Sequence, residues 1–188
     1  MRICVTNRLL CRGDFYETVR KACETAGMVI LREKDLTETE YTELARKIKE
    51  ICAETGTDFC INKYAGAARA VGCDALQLSY SDFLALPEKF CRTGVSVHSV
   101  KEAVTASEKG ADFLIAGHIF ATDCKKEVPP RGLRFLTEII SNVEIPVFAI
   151  GGINEENEHS VLECGASGVC IMSGYMNFQN SLDRSIYV

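Results

Sequence analysis

"MVILREKDLTETEYTELARKIKEICAETGTDFCIN", residues 28–62, contains the unit from which the rest of the chain is built. It opens on a short apolar run, "MVILR" (28–32), and closes on another, "DFCIN" (58–62). Between them Tyr41, Leu44, Ala45, Ile48, Ile51 and Cys52 fall on one helical face, with Glu43, Arg46, Lys47 and Lys49 opposite. Short runs that do not alternate with polar residues read as strands buried on both faces. Two such strands joined by an amphipathic helix form a parallel pair.

The pattern continues in both directions. "ICVT" (3–6), "DALQL" (74–78), "GVSVH" (94–98), "DFLIA" (112–116), "IPVFAI" (145–150) and "SGVCIM" (167–172) bring the expected strands to eight. Residues 14–26 repeat the helical spacing with Phe15, Val19, Ala22, Cys23 and Ala26 on one face. Gly27, Gly72, Gly110 and Gly165 each stand where a helix should end just before a strand, in the left-handed conformation that costs glycine least. Their spacing is irregular, which excludes a solenoid of fixed period. Eight strand–helix units predict a closed (β/α)8 TIM barrel. An open doubly wound sheet is the alternative, because periodicity does not register closure. Such barrels typically run to ~250 residues, so residues 1–188 predict one compact barrel domain, with a shortened C-terminal helix after residue 173.

Composition narrows the partners. A formal net charge of −5 disfavours a nucleic-acid partner, whose phosphates are held mainly by lysine and arginine. No apolar stretch approaches the ~20 residues that span a bilayer, and "MRICVTNRLL" carries no signal-peptide core. The expectation is a cytoplasmic protein with no membrane partner. The ten cysteines contain no CxxC pair and suit small apolar core residues kept as thiols. His118 and Cys124 alone do not make a zinc site. Oligomeric state is not readable from the sequence, but a short C-terminal segment would leave apolar helix surface that a second copy could cover, so a homodimer is a candidate.

In a barrel of this kind the chemistry gathers where strands end at their C-termini. Those positions here hold Arg32 and Lys34, Asn62 and Lys63, Gln77, His98, Gly117 and His118, Gly151 and Gly152, and Ser173 and Gly174. The loops "AIGGINEEN" (149–157) and "IMSGYM" (171–176) follow the seventh and eighth strands, the usual place for a phosphate. Gly151, Gly152, Ser173 and Gly174 are therefore candidate phosphate ligands, although the same glycines also suit close-packed turns. Arg32 and Lys34, with Lys125 and Lys126 of "GHIFATDCKK" (117–126), would form a second anion-binding zone. Read alone, "LREKD" (31–35) is a solvated charge run. His118, at a strand end, is the candidate general acid/base. His98 reads as a packed or binding group, and His159 as a helix-surface residue.

"LREKDLTETEY", "GVSVHSVKEA", "GADFLIAGHIFATDCKK" and "IPVFAIGGIN", in this order, resemble the thiamine phosphate synthase/TenI family over residues 28–176. The resemblance implies a (β/α)8 barrel and a role in making thiamine. The family has two activities. The synthase joins a pyrimidine diphosphate to thiazole phosphate with Mg²⁺, and its metal-binding aspartates would correspond here to Lys63, a cation, and Asp82 in "QLSYSD". The tautomerase isomerises a thiazole carboxylate phosphate to its aromatic form without a cofactor. "GHIFATDCKK" resembles the tautomerase motif more than the synthase motif, which carries proline where His118 stands.

The resemblance thus implies a thiazole tautomerase with His118 as the catalytic residue and no metal. Arg32, Lys34 and Lys126 would grip the substrate carboxylate, and the glycine loops its phosphate. Asn62, His98, Thr122 and Lys125 would complete the pocket. Two alternatives stand beside it. One is a synthase using Mg²⁺ at Asp82, with Arg32, Lys34, Asn62, Thr122 and Lys125 on the diphosphate. The other is a non-catalytic protein that binds a thiamine intermediate. The roles of Lys63 and Tyr80 are left open.

Overall fold

Each of the eight apolar runs forms a strand in the computed structural model, which describes residues 1–122 and 128–177. The strands are β1 (Arg2–Val5), β2 (Met28–Leu31), β3 (Asp58–Asn62), β4 (Ala75–Ser79), β5 (Arg92–Val97), β6 (Phe113–Gly117), β7 (Val147–Ile150) and β8 (Gly168–Ile171). All neighbours pair in parallel, and β8 pairs with β1, so the sheet closes in sequence order. The open doubly wound alternative is excluded.

The helices are α1 (Phe15–Cys23), α2 (Glu38–Thr55), α3 (Ala65–Val71), α4 (Tyr80–Ala85), α5 (Val100–Glu108), α6 (Gly132–Ile140), α7 (Glu158–Glu163) and α8 (Ser173–Met176). The last is four residues long, the shortened helix expected after β8. Strand-to-helix junctions are tight because strand ends supply helix caps. Ser79, the last residue of β4, accepts from the Asp82 backbone N–H at the head of α4. Ser99 does the same for Glu102 at the head of α5. Gly72, Gly110 and Gly165 adopt the positive φ expected of them. Gly27 does not; a Cβ there would lie 2.8 Å from the flexible, half-exposed Met1 side chain, which could move aside.

Two cores result. The larger lies between the sheet and the helices and includes Val19, Tyr41, Ile48, Leu76, Leu114 and Leu136. The smaller fills the barrel bore with Ile3, Val5, Met28, Ile30, Phe113, Ile115 and Phe148 among others. Phe113 and Phe148 meet edge to face, with centroids 5.8 Å apart and planes at 87°. That pair needs the bare backbone of Gly94 on β5, where a Cβ would lie 2.1 Å from the Phe113 ring. Gly94→Ala should therefore cost about 2 kcal/mol by overpacking, a fall in Tm of roughly 4–8 °C. Adding Phe113→Leu should restore part of the loss. A Gly94→Ala protein that melts with the native chain would show that Phe113 has room the packing does not reveal.

Several cysteines are buried in these cores, and those among the described residues are all thiols. Among the described residues, no helix is long and apolar enough to cross a membrane.

Candidate active site

The C-terminal strand ends surround a cavity of about 1450 Å³. Most of the predicted residues line it: Arg32 and Lys34 after β2, Asn62 on β3, His98 after β5, His118 and Thr122 after β6, Gly151 and Gly152 after β7, Ser173 after β8, and Asp82 on α4. Gly174 does not. It sits within α8, where a Cβ would meet the Ile171 side chain at 2.9 Å. Lys125 and Lys126 lie outside the described residues. Tyr80 heads α4 and packs against the outer core rather than the cavity. His159 is exposed and pairs with Glu163 at 3.0 Å, a surface residue as read.

A buried carboxylate that the sequence did not single out organises the β1–β2 corner. Glu33 is only 2% exposed. It accepts from the Thr6 hydroxyl at 2.6 Å and from the Arg8 backbone N–H at 2.9 and 3.2 Å. Thr6 Oγ1 in turn accepts from the Arg32 backbone N–H at 3.0 Å. Burial raises the Glu33 pKa more than these donors lower it. The network fixes the backbone of Arg32, whose guanidinium makes no hydrogen bond or ion pair to the other described residues. The Arg8 side chain reaches outward to Asp35.

Three polar side chains from adjacent strands are joined across the cavity floor. Asn62 Nδ2 donates to Gln77 Oε1, and Gln77 Nε2 donates to Ser96 Oγ at 2.8 Å. Tyr41 holds the start of this chain by donating from its hydroxyl to the Leu31 carbonyl while accepting from the Asn62 backbone N–H at 3.0 Å. Gln77 is buried, so its amide is set by partners on both sides and not by solvent. His98 is half exposed at the rim; its backbone N–H donates to Glu102 at 2.7 Å.

The β6 and β7 loops are pressed together. Ile119 and Phe120 donate from their backbone N–H groups to the carbonyls of Ile150 and Gly151, each at 2.9 Å. Gly151 (φ 104°) and Gly152 (φ 66°) permit this approach: Cβ atoms there would lie 2.4 Å from His118 Cβ and 2.3 Å from the Ala121 carbonyl. Asn157, absent from the sequence reading, donates from Nδ2 to the Gly152 carbonyl at 2.8 Å and fixes the turn. Close packing and an exposed backbone edge on the cavity are thus properties of the same two glycines.

His118 is 3% exposed, with Nε2 3.0 Å from the Val128 carbonyl. A carbonyl only accepts, which puts the ring proton on Nε2 and leaves Nδ1 an acceptor in the neutral ring. Nδ1 is buried without a partner among the described residues. The His118 carbonyl also accepts from the Arg131 N–H at 3.1 Å, so ring and backbone together hold the 128–131 segment over the cavity.

A family model for thiamine monophosphate synthase matches residues 3–175. The chain belongs to that family. A thiamine-phosphate synthase of Clostridium acetobutylicum is 33% identical over 188 residues, covering 96% of this chain and 89% of that protein. One from Pyrococcus horikoshii is 37% identical over 171 residues, covering 87% and 81%. The solved thiamine phosphate pyrophosphorylase of Pyrococcus furiosus superposes with a TM-score of 0.83 at 32% identity, covering 95% of this chain and 88% of that one. These family members correct the tautomerase reading, for they are named for the synthase reaction and none for an isomerase. That reading rested on the motif at 117–126, much of whose second half lies outside the described residues, and on Lys63 standing where the synthase carries a metal-binding aspartate. The ring of His118 is meanwhile engaged in holding a loop.

The resemblance implies Mg²⁺ for a synthase, and the donor set here fits it poorly, since a lysine stands at one of the two aspartate positions and a single carboxylate of that pair is left. Asp82 is the only carboxylate among the described residues that line the cavity, and it accepts from the Ser79 hydroxyl at 2.6 Å. Lys63, one strand away, adds an ammonium to the same wall. No three histidine, cysteine, aspartate or glutamate residues among the described ones cluster as a metal site. Mg²⁺ normally keeps one or two protein carboxylates alongside water and substrate phosphate.

Proposed function

We propose that the chain is a thiamine-phosphate synthase, a transferase that joins a pyrimidine diphosphate to thiazole phosphate. The observation that carries the reading is that relatives matched over nearly the whole chain are named for the synthase reaction, beside one cavity whose lining suits two anions. Arg32 and Lys34 stand after β2, and the Gly151–Gly152 turn and Ser173 stand across the mouth, after β7 and β8. A reaction between two phosphorylated substrates needs both zones.

The reaction forms one C–N bond and breaks one C–O bond, and the diphosphate leaves with the bonding electrons. Negative charge therefore grows on the leaving group. Preorganised cations at that position stabilise the transition state more than the ground state. Arg32 and Lys34 take this role. The glycine turn and Ser173 hold the phosphate of the other substrate and aim its ring at the reacting carbon, an orienting role. Asn62, Gln77 and Ser96 offer a fixed polar floor to the rings, and His118 holds the 128–131 segment beside them.

The test mixes the protein with both phosphorylated halves and follows thiamine phosphate and diphosphate release, in Mg²⁺ and in EDTA. Both products should appear in equal amounts in at least one condition. No product in either, at enzyme concentrations comparable to substrate, would overturn the proposal.

A further inference from the structure

Lys63 has the only positive φ of any non-glycine residue described, at 73°. The Tyr64 N–H donates to the Asn62 carbonyl two residues back at 2.9 Å, which closes a γ-turn with Lys63 at its centre. The positive-φ form of this turn, near about +75°, is rare and strained. The Lys63 N–H is itself bonded to the Gln77 carbonyl at 2.9 Å, continuing the β3–β4 ladder to the cavity edge. Both sides of the turn are thus held, and an observed backbone outlier at a cavity points to function.

The side chain that this turn presents is a cation with no counterion among the described residues. Its ammonium lies 5.0 Å from the centroid of the Tyr64 ring, and no carboxylate among the described residues pairs with it. Tyr64 is a fixed platform: its hydroxyl donates to the Leu36 carbonyl at 3.0 Å, and its ring packs 4.8 Å from that of Tyr41. Lys63 lines the cavity beside Arg32 and Lys34 of the neighbouring strand end. Lys63 is exposed where it lines the cavity mouth, so its ammonium is within reach of a bound ligand.

We propose that the Lys63 ammonium replaces a divalent cation here, neutralising the diphosphate as a charge carried by the chain, so that diphosphate binds without Mg²⁺. The proposal rests on the synthase reading and accounts for the donor set that fits Mg²⁺ poorly. A lysine is a compact point charge on a flexible stem, suited to charge neutralisation more than to orientation. Orientation is left to the fork of Arg32.

Calorimetric titration of inorganic pyrophosphate into the native protein, Lys63→Gln and Lys63→Asp, each in EDTA and in Mg²⁺, tests this. Aspartate is among the residues that best tolerate a left-handed backbone, so Lys63→Asp should fold, and Lys63→Gln provides an independent neutral variant. The native chain should bind in EDTA and change by less than about threefold with Mg²⁺. Lys63→Gln should lose roughly tenfold in EDTA, as expected for one charged hydrogen bond. Lys63→Asp should lose more in EDTA and regain at least about tenfold with Mg²⁺, since the carboxylate rebuilds a metal donor. Native binding that appears only with Mg²⁺, or unchanged binding by Lys63→Gln, would overturn the proposal and leave the synthase reading standing. Failure of the native chain to bind pyrophosphate in either condition would overturn both.

Discussion

Replacing Glu33 by alanine should lower stability by about 3 kcal/mol near pH 5, with Tm falling roughly 6–12 °C. The carboxylate is almost fully buried and is the shared acceptor for the Thr6 hydroxyl and the Arg8 backbone N–H. Alanine removes that acceptor and leaves both donors buried or half-buried without partners, which costs more than the bonds themselves contributed. Thr6 then also loses the orientation in which it accepts from the Arg32 N–H. Glu33→Gln keeps the shape and one acceptor oxygen, so it should lose less. The sign of the pH dependence follows from burial, which raises the Glu33 carboxyl above its ordinary 4.5. The folded chain then holds this proton more tightly than the unfolded chain. The group's contribution to stability is full below the ordinary value and is lost as pH rises through the raised one. Glutamine does not titrate. The stability advantage of the native chain over Glu33→Gln should thus be greatest in acid and shrink toward neutrality, measured by urea unfolding at several pH values. An advantage that grows with pH would show that Thr6 and Arg8 outweigh burial.

What could be read from the sequence follows from what periodicity carries. All eight strands were visible because runs such as "DFLIA" and "GVCIM" are short, apolar and bounded by helical patterns. Helix limits were less visible. α2 begins at Glu38, ahead of the apolar face that starts at Tyr41, because Thr37 and Glu40 cap each other reciprocally. Gly27 was misread, since it precedes its strand without the positive φ that a glycine at a helix end suggests. Glu33 was hidden for a different reason: a glutamate between two cations reads as a solvated run, and only Thr6 and Arg8, 27 and 25 residues away, make it a buried anchor. The position of Lys63 was visible, but its γ-turn was not, because a lysine carries no signal for positive φ. The cavity residues were found at strand ends because the fold puts them there. The activity went astray because the motif at 117–126 and the lysine at position 63 were taken as marks of the tautomerase, whereas the relatives are named for the synthase.

Replacing Arg32 by alanine should lower kcat/KM for the pyrimidine diphosphate by about 10³-fold, while the KM for thiazole phosphate stays within about twofold. The size follows from a bidentate pair of charged hydrogen bonds to phosphate oxygens. Each contributes roughly 1.5–3 kcal/mol, and about 1.4 kcal/mol is a factor of ten in rate. The effect should fall mainly on kcat, because the charge that Arg32 faces grows as the leaving group departs. Arg32→Lys should recover only part of the loss, since an ammonium cannot reproduce the planar fork. Stability separates this role from that of Glu33. The Arg32 backbone N–H is what Thr6 holds, and alanine keeps it, whereas the guanidinium has no partner among the described residues. The Arg32→Ala protein should therefore melt within about 2 °C of the native chain. A loss below about fivefold, or an equal rise in KM for both substrates, would place the diphosphate elsewhere. The outcome also bears on Lys63. If orientation and neutralisation are divided between two cations, Arg32→Ala should abolish turnover far more than it weakens pyrophosphate binding, whereas Lys63→Gln should weaken both by similar factors. A common effect of both variants on binding alone would mean that the wall supplies charge without geometry, and the rate enhancement would then have to come from the glycine turn and Ser173.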